Sequence, residues 1–188
     1  MKFRKVKVEE KMSSPYQDLY IRRLEDDDIG SVMELMQLIV SLLPSSDYYA
    51  MDDSGYFREH IRNMGELYGA FADTQLVAVT VLGFPGPGPR NLAREYGVPE
   101  RELLRVAALE GSAVHPSARG KGLQRFFVEL RERRAAEYGC LHMYSTVHPD
   151  NEASRRNLEL SGYEWKFSRS MYGGLPRHCY AKRLNGHL

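Results

Sequence analysis

Apolar and polar positions in this chain follow two periods and switch between them repeatedly. Ile29, Val32, Met33, Met36, Ile39, Val40 and Leu43 recur every three to four residues. This predicts a helix, with Asp26 to Asp28 as acids at its start and Pro44 as its stop. Leu35, Leu38 and Leu42 widen the apolar surface and predict burial on more than one side. Residues 20–24 read as a strand before it. An acidic and aromatic loop over 44–55 leads to a second expected helix over 56–64. Residues 67–72 and 75–82, joined by Asp73-Thr74, read as a hairpin whose second strand is apolar on both faces and so central in a sheet. Pro85-Gly86-Pro87-Gly88-Pro89 then breaks the pattern. The connection to Leu103, with a helical turn near 91–96, exceeds the usual length and reads equally as a binding lid or a surface decoration.

A strand is expected over 106–114. Leu123, Phe126, Phe127 and Leu130 then form one helical stripe, with Arg125, Glu129, Arg131 and Glu132 off it. Residues 141–147 are β-rich. They lead into a short helix over 152–160, with Asn151 suited to cap its start and Gly162 its end. Residues 164–169 and 178–184 read as a final hairpin around the loop Gly173-Gly174-Leu175-Pro176.

A length of 188 residues with 43% hydrophobic content suits one soluble domain with a real core. A net charge of +1 gives no global field toward nucleic acid or membranes. Cys140 and Cys179 lie in β-rich surroundings and read as reduced thiols of a cytoplasmic protein. No run is long enough to span a bilayer. Residues 2–8 alternate charged and apolar groups without an apolar run, which excludes a secretion signal. Residues 1–18 therefore read as a basic N-terminal arm, either an edge strand or a mobile tail.

The segment Val114-His115-Pro116-Ser117-Ala118-Arg119-Gly120-Lys121-Gly122-Leu123-Gln124 carries the chemistry. A strand end, a basic glycine turn and a helix start follow one another. Helix starts present unpaired N–H groups and positive partial charge. Gly120 and Gly122 allow close approach to the backbone, and Arg119 and Lys121 add charge, so an anion such as a phosphate or diphosphate fits. A turn with two solvated cations is the plainer alternative, and the elements downstream weigh against it.

With those elements, the chain resembles the GNAT superfamily of acyl-CoA N-acyltransferases. Its phosphate loop has the form Gln/Arg-x-x-Gly-x-Gly/Ala, matched by Arg119-Gly120-Lys121-Gly122-Leu123-Gln124, with Gln124 in place of a small residue. The next family motif is matched by Asn151, Ser154, Gly162 and Tyr163, with Leu158 where many members carry a tyrosine proposed as general acid. The close match runs from 106 to 165. The resemblance implies an α/β (α+β) fold: one GNAT-like domain over 19–188, with a mixed central sheet of six to seven strands flanked by helices. Strands 4 and 5 would be parallel and splayed. It implies acetyl-CoA as co-substrate, with no metal, and transfer of an acyl group other than amino-acyl to a primary amine by direct attack in a ternary complex. The implied cofactor contacts are Ala113, Val114, His115, Arg119 to Gln124, Asn151 and Ser154. Arg155, Arg156 or Arg125 would meet the nucleotide phosphate, or form a solvated helix face.

An amine must lose a proton to attack, so a base is needed. Glu110, on the fourth strand before the splay, is the leading candidate, against a reading as an ordinary strand carboxylate. His115 is an alternative base. Tyr144 is taken as the acid for the leaving thiolate, with Tyr163 and Tyr172 as alternatives, and a thiolate also leaves unaided. Asp47, Asp52 and Asp53 would attract a cationic amine, and Tyr48, Tyr49 and Tyr56 would line its site. The acceptor would be a small amine or a peptide N-terminus, the protein a monomer or homodimer. His60, His142, His148, His178 and His187 lack metal-ligand spacing, and Cys140 and His142 beside Cys179 form no Cys-x-x-Cys pattern. Two other readings stand: a catalytically silent acyl-CoA-binding sensor, favoured by Leu158, and nucleic-acid binding through the arm with Arg131, Arg133 and Arg134.

Overall fold

The computed structural model describes residues 18–184. The N-terminal arm and His187 lie outside the described residues, apart from Asp18 at the arm's end. Seven strands, β1 (Tyr20–Arg23), β2 (Gly65–Ala72), β3 (Gln75–Gly83), β4 (Val106–Val114), β5 (His142–Val147), β6 (Glu164–Met171) and β7 (Leu175–Arg183), form one sheet. Their order is β1-β2-β3-β4-β5-β7-β6. Every neighbouring pair is antiparallel except β4 and β5, which are parallel. This is the expected α/β arrangement, with the one parallel pair at its centre.

Helices α1 (Ile29–Ser41) and α2 (Ser54–Glu59) cover one face, where Val32, Leu35 and Phe57 pack on Leu67, Val79, Val81 and Ala113. Helices α3 (Leu123–Glu137) and α4 (Glu152–Leu160) cover the other, where Val128 and Leu158 pack on Leu82, Ala107, Leu109, Met143 and Val147. Strand alternation sends Ala108 and Tyr144 back to the α1/α2 face. There the long connection after β3 lays Leu92, Ala93 and Leu103 over them, beside Cys179.

That connection is a fixed cover. Asn91 donates from Nδ2 to the carbonyls of Gly86 and Leu103, at 2.7 and 3.1 Å, and accepts from the Ala93 amide. Glu95 pairs with Arg169 of β6 and Glu102 with His142 of β5. No described helix is long and apolar enough to cross a membrane. Cys140 and Cys179 are free and belong to cores on opposite faces of the sheet.

Several expectations are corrected. Leu38 of α1 and Leu42 just past its end are exposed, because the helix buries a single stripe through Val32, Leu35, Met36 and Ile39. The expected helix over 56–64 is two elements, since α2 passes directly into a π-helical turn, His60–Met64. Leu175 and Pro176 are part of β7, leaving a tight turn at 172–174. Phe126 is only half-buried, while Arg131 and Arg134 are buried. Arg134 enters the core because Glu66 awaits it there: its Nε and Nη2 donate to the two Glu66 oxygens at 3.0 and 2.9 Å. These two arginines are thereby removed from any nucleic-acid-binding surface.

Candidate active site

The site is built on an irregularity of β4. Pairing with β5 ends at Leu109 opposite Ser145, where the Ser145 hydroxyl donates to the Leu109 carbonyl at 2.9 Å. On the other edge, the β3–β4 register slips between Thr80 and Leu82, leaving Val81 without a partner. Arg131 fills that bulge. Its Nη1 donates to the carbonyls of Val81 (3.0 Å) and Glu110 (3.3 Å), and its Nε to that of Phe127. Burial of this guanidinium pulls its pKa down to about 10. The bulge turns Glu110 and Gly111 toward the same face, since a β-carbon on Gly111 would lie 2.0 Å from the Tyr49 hydroxyl and Glu110 meets α2. Bulges commonly re-aim a side chain in this way.

The Glu110 carboxylate is held from one side. The Tyr56 hydroxyl donates to Oε2, and His60 Nε2 lies 2.8 Å from the same atom. No described residue donates to Oε1. Tyr56 and His60 are four apart, so α2 and its π-helical extension bring both to one place. Asp53 fixes that helix by accepting the Tyr56 amide at 2.9 Å. Burial alone would lower the His60 pKa; the hydrogen bond and charge of Glu110, the Tyr56 carbonyl and Asp52 outweigh it and raise it. Asp52 is pushed up to about 6 by burial and then by the charge of Glu110. Burial also holds Tyr49, Tyr56 and Tyr144 well above the usual tyrosine range.

The acceptor-side residues divide. Tyr49 and Asp52 lie within electrostatic reach of Glu110. The Asp47 carbonyl instead accepts from Arg177 at 2.9 Å, and the Tyr48 ring stacks on His148 at 4.5 Å. Tyr144 donates to the Arg90 carbonyl at 3.2 Å, which commits its proton to the cover segment. Tyr172 adopts a left-handed conformation in the β6–β7 turn and meets the Thr146 hydroxyl at 3.0 Å. Tyr163 is directed into the α3/α4 core, against the sulfur of Met143, and Leu158 is buried there too.

At the end of β4, the His115 amide donates to the Val77 carbonyl at 2.8 Å. Antiparallel alternation then directs the Ala113 main chain toward β3 as well, and leaves Ser112 and Val114 facing the gap beside β5. The Val114 carbonyl accepts from Arg119 Nε at 3.3 Å. The His115 ring caps the next turn, accepting the Ser117 amide at Nδ1 and meeting the Ser117 hydroxyl at 2.7 Å. Gly120 and Gly122 both adopt positive φ, at 76° and 78°. Arg119 to Gly122 are exposed, Gln124 is half-buried, and Leu123 anchors the turn in the core. No side chain caps α3, so its first N–H groups remain open to an anion. Across the gap, Asn151 accepts the Ser154 amide at 3.1 Å and caps α4. Arg125 pairs with Glu129 on the same helix.

A sequence profile described as the Acetyltransferase (GNAT) family matches residues 32–163. The chain belongs to the GNAT acetyltransferase family. No curated protein sequence matches it. An N-acetyltransferase from Staphylococcus aureus Mu50 superposes with a TM-score of 0.67 at 17% identity, covering 90% of this chain and 100% of that one. A structure of yncA from Salmonella typhimurium with its cofactor acetyl-CoA gives 0.65 at 16% identity, covering 91% and 96%. The ribosomal-protein-S18-alanine N-acetyltransferase from Escherichia coli gives 0.63 at 16% identity, covering 88% and 94%.

In this GNAT domain the residues that sequence reasoning missed are those that hold Glu110. His60 has no spacing that singles it out among the histidines, Arg131 lies off the apolar stripe of its helix like a surface cation, and Gly83, which leaves room for Glu110, carries no signal at all. The Tyr56–His60 spacing places both on one helix face, but nothing in the sequence aims that face at β4. Among the described residues no group of three or more His, Cys, Asp or Glu side chains could hold a metal. His142 is engaged with Glu102 at 2.7 Å.

Proposed function

We propose that this protein is an acetyl-CoA-dependent N-acetyltransferase acting on a cationic primary amine, with Glu110 as the general base. One observation carries this reading. Glu110 is the first β4 residue beyond the last β4–β5 pair, and its Oε1 is left free while Oε2 is held. A carboxylate placed at the mouth of a gap between parallel strands is where an amine would have to shed its proton.

The residues present suit the coenzyme. The open N–H groups at the start of α3, the bare surface at Gly120 and the charges of Arg119 and Lys121 would hold its diphosphate. The outward main-chain groups of Ser112 and Val114 would pair with the pantetheine amides, with Asn151 and Ser154 opposite. Acetyl-CoA supplies an acetyl group activated as a thioester. The cationic amine would first give one proton to solvent; Glu110 would take the second at Oε1 as the neutral nitrogen bonds to the acetyl carbon and the carbon–sulfur bond breaks, and would pass it to solvent afterwards. A gap-facing amide, that of Val114 or Ser112, meets the negative charge growing on the carbonyl oxygen, a contribution of about 3 kcal/mol in comparable sites. Tyr144 keeps its proton on the Arg90 carbonyl, so the thiolate leaves unaided and takes a proton from solvent. Asp52 and Tyr49 receive the acceptor, a small amine or a peptide N-terminus. Two buried free thiols on opposite sheet faces suit the reducing cytoplasm.

The test is thiol release from acetyl-CoA across a panel of amines, alongside calorimetry. Turnover lost with binding kept in Glu110→Gln, and binding lost in Gly122→Trp, support the enzyme. Tight coenzyme binding without turnover on any amine would replace it with a non-catalytic binding module, the reading that the buried Leu158 favours.

A further inference from the structure

With Glu110 ionised, no neutral form of His60 satisfies both contacts of its ring. Nδ1 lies 2.9 Å from the Tyr56 carbonyl oxygen, which can only accept, so Nδ1 must carry a proton. Nε2 lies 2.8 Å from Oε2 of Glu110. A ring protonated only at Nδ1 would aim a lone pair at that carboxylate, and the other tautomer would aim one at the carbonyl. The imidazolium alone both donates to the carbonyl from Nδ1 and sets a positively charged N–H at ion-pair distance from the carboxylate, although Nε2 is not aligned for a full hydrogen bond. The side chain is 3% exposed, so water does not substitute for either partner. Oε2 already receives the Tyr56 hydroxyl, which favours leaving the shared proton on the ring.

The backbone is shaped for this contact. The ring sits where α2 changes to π-helical geometry, an irregularity that recurs at functional sites. It lies tilted against the Tyr56 ring, centroids 4.1 Å apart, and Tyr56 supplies the hydroxyl that donates to Oε2.

We propose that His60, held as the imidazolium, is the positioning residue of the acetyl transfer: with the Tyr56 hydroxyl it fixes Oε2 of Glu110 so that Oε1 alone meets the amine. This rests on Glu110 being the base. Around the pair stand Asp52 from the loop before α2, Tyr49 from the same loop, Arg131 from α3, Tyr144 from β5 and Tyr172 from the β6–β7 turn. Asp52 supports the imidazolium, Arg131 lies behind β4 as the other cation, and the three tyrosines stay neutral through the working pH range. Loss of the His60 proton at alkaline pH leaves a lone pair against the carboxylate and loosens the base.

The test combines nitrogen-15 NMR of His60 with the pH dependence of kcat at saturating substrates. In the wild type, the decline of kcat on the alkaline side should coincide with the NMR midpoint of His60. In Glu110→Gln that midpoint should fall by about one pH unit or more. His60→Gln should lower kcat roughly ten- to a hundred-fold, leave acetyl-CoA binding intact and abolish the alkaline decline. A His60 midpoint unmoved by Glu110→Gln, or an alkaline limb that persists in His60→Gln, overturns the proposal. If His60→Gln fails to fold, the NMR shift and the wild-type coincidence still decide it. Full activity in Glu110→Gln would instead sink Glu110 as the base, a separate outcome.

Discussion

Glu110 occupies the space that a side chain on Gly83 would need. A β-carbon there would stand 2.2 Å from Oε1 and 2.6 Å from Cδ of the carboxylate. Gly83 ends β3, opposite Ala108 of β4. The only atoms that must yield are the tip of a flexible side chain, so Gly83→Ala should fold. It should push Oε1 away from its free orientation. Misplacement by about 1 Å typically costs roughly a hundred-fold in rate. The expected result is kcat lowered by about that factor, with acetyl-CoA affinity and melting temperature little changed. A variant with wild-type kcat would mean that Oε1 is not where the amine proton goes.

The turn before α3 makes a separable prediction. Gly120 has a left-handed φ of 76°, yet a β-carbon there meets nothing within 4 Å. In the free protein, Gly120→Ala should therefore cost only the backbone term, about 1–2 kcal/mol for an L-residue in that region. If the coenzyme diphosphate lies on this surface, the methyl group also crowds the ligand. Calorimetry should then show affinity for acetyl-CoA reduced about ten-fold, close to 1.4 kcal/mol. Thermal unfolding reports the first effect, and unchanged affinity alongside it would move the diphosphate elsewhere.

If Asp52 receives the acceptor as proposed, it links acceptor binding to pH. Its pKa, about 6, is raised by burial and by Glu110. It is ionised at neutral pH and protonated in mild acid. The KM for a cationic acceptor should therefore rise as pH falls through 6, by about ten-fold per unit once protonation dominates, while the KM for acetyl-CoA stays flat. Asp52→Asn should remove that dependence. The stability effect has the opposite sign to that of a salt-bridged acid. The folded chain binds this proton more tightly than the unfolded chain, so stability declines as pH rises between about 4 and 6. Asp52→Asn should flatten that stretch of the stability curve, modestly, because the side chain remains half exposed.

The strand ladder and the glycine turn before α3 were readable because each rests on local chemistry. Apolar runs make β3 and β4, two glycines with cations make the turn, and Asn151 both looks like a cap and caps α4. The placement of Glu110 near a splay was readable through family resemblance. What holds Glu110 was not readable. The bulge that aims it sets two β4 residues, Glu110 and Gly111, against Val81 of β3 and is filled by Arg131, and a buried arginine on an amphipathic helix looks in sequence like an exposed one. Leu38 and Leu42 failed for the converse reason: helical period does not say how wide a stripe the sheet will accept. The hydrogen bond from Tyr144 was not readable, because its partner, the Arg90 carbonyl, belongs to a connection without a regular period.

Glu66 makes the last prediction, about stability in acid. It is fully buried on β2, where both Arg134 donors, Arg23 at 3.1 Å and the hydroxyls of Tyr68 and Tyr138 converge on its two oxygens. Burial alone would raise its pKa, but the hydrogen bonds from Arg134 and Tyr68 and the arginine charges lower it below the ordinary value. A depressed carboxylate contributes stability that is present above its unfolded pKa, about 4.3. That contribution is lost as pH falls through the lower folded value. Chemical denaturation should therefore show a stability loss in acid, beginning near pH 4, that is absent in Glu66→Gln. At neutral pH the same substitution leaves the buried Arg134 with only the exposed Glu137 as a counter-charge, which should cost up to the roughly 3–5 kcal/mol seen when one partner of a buried pair is removed. Replacing Glu66 and Arg134 together with Leu and Met should recover much of that loss, because the uncompensated charge goes with its partner. If Glu66→Gln alone proved neutral, water would have to reach this cluster and the β1–β2 edge would be less closed than its packing indicates.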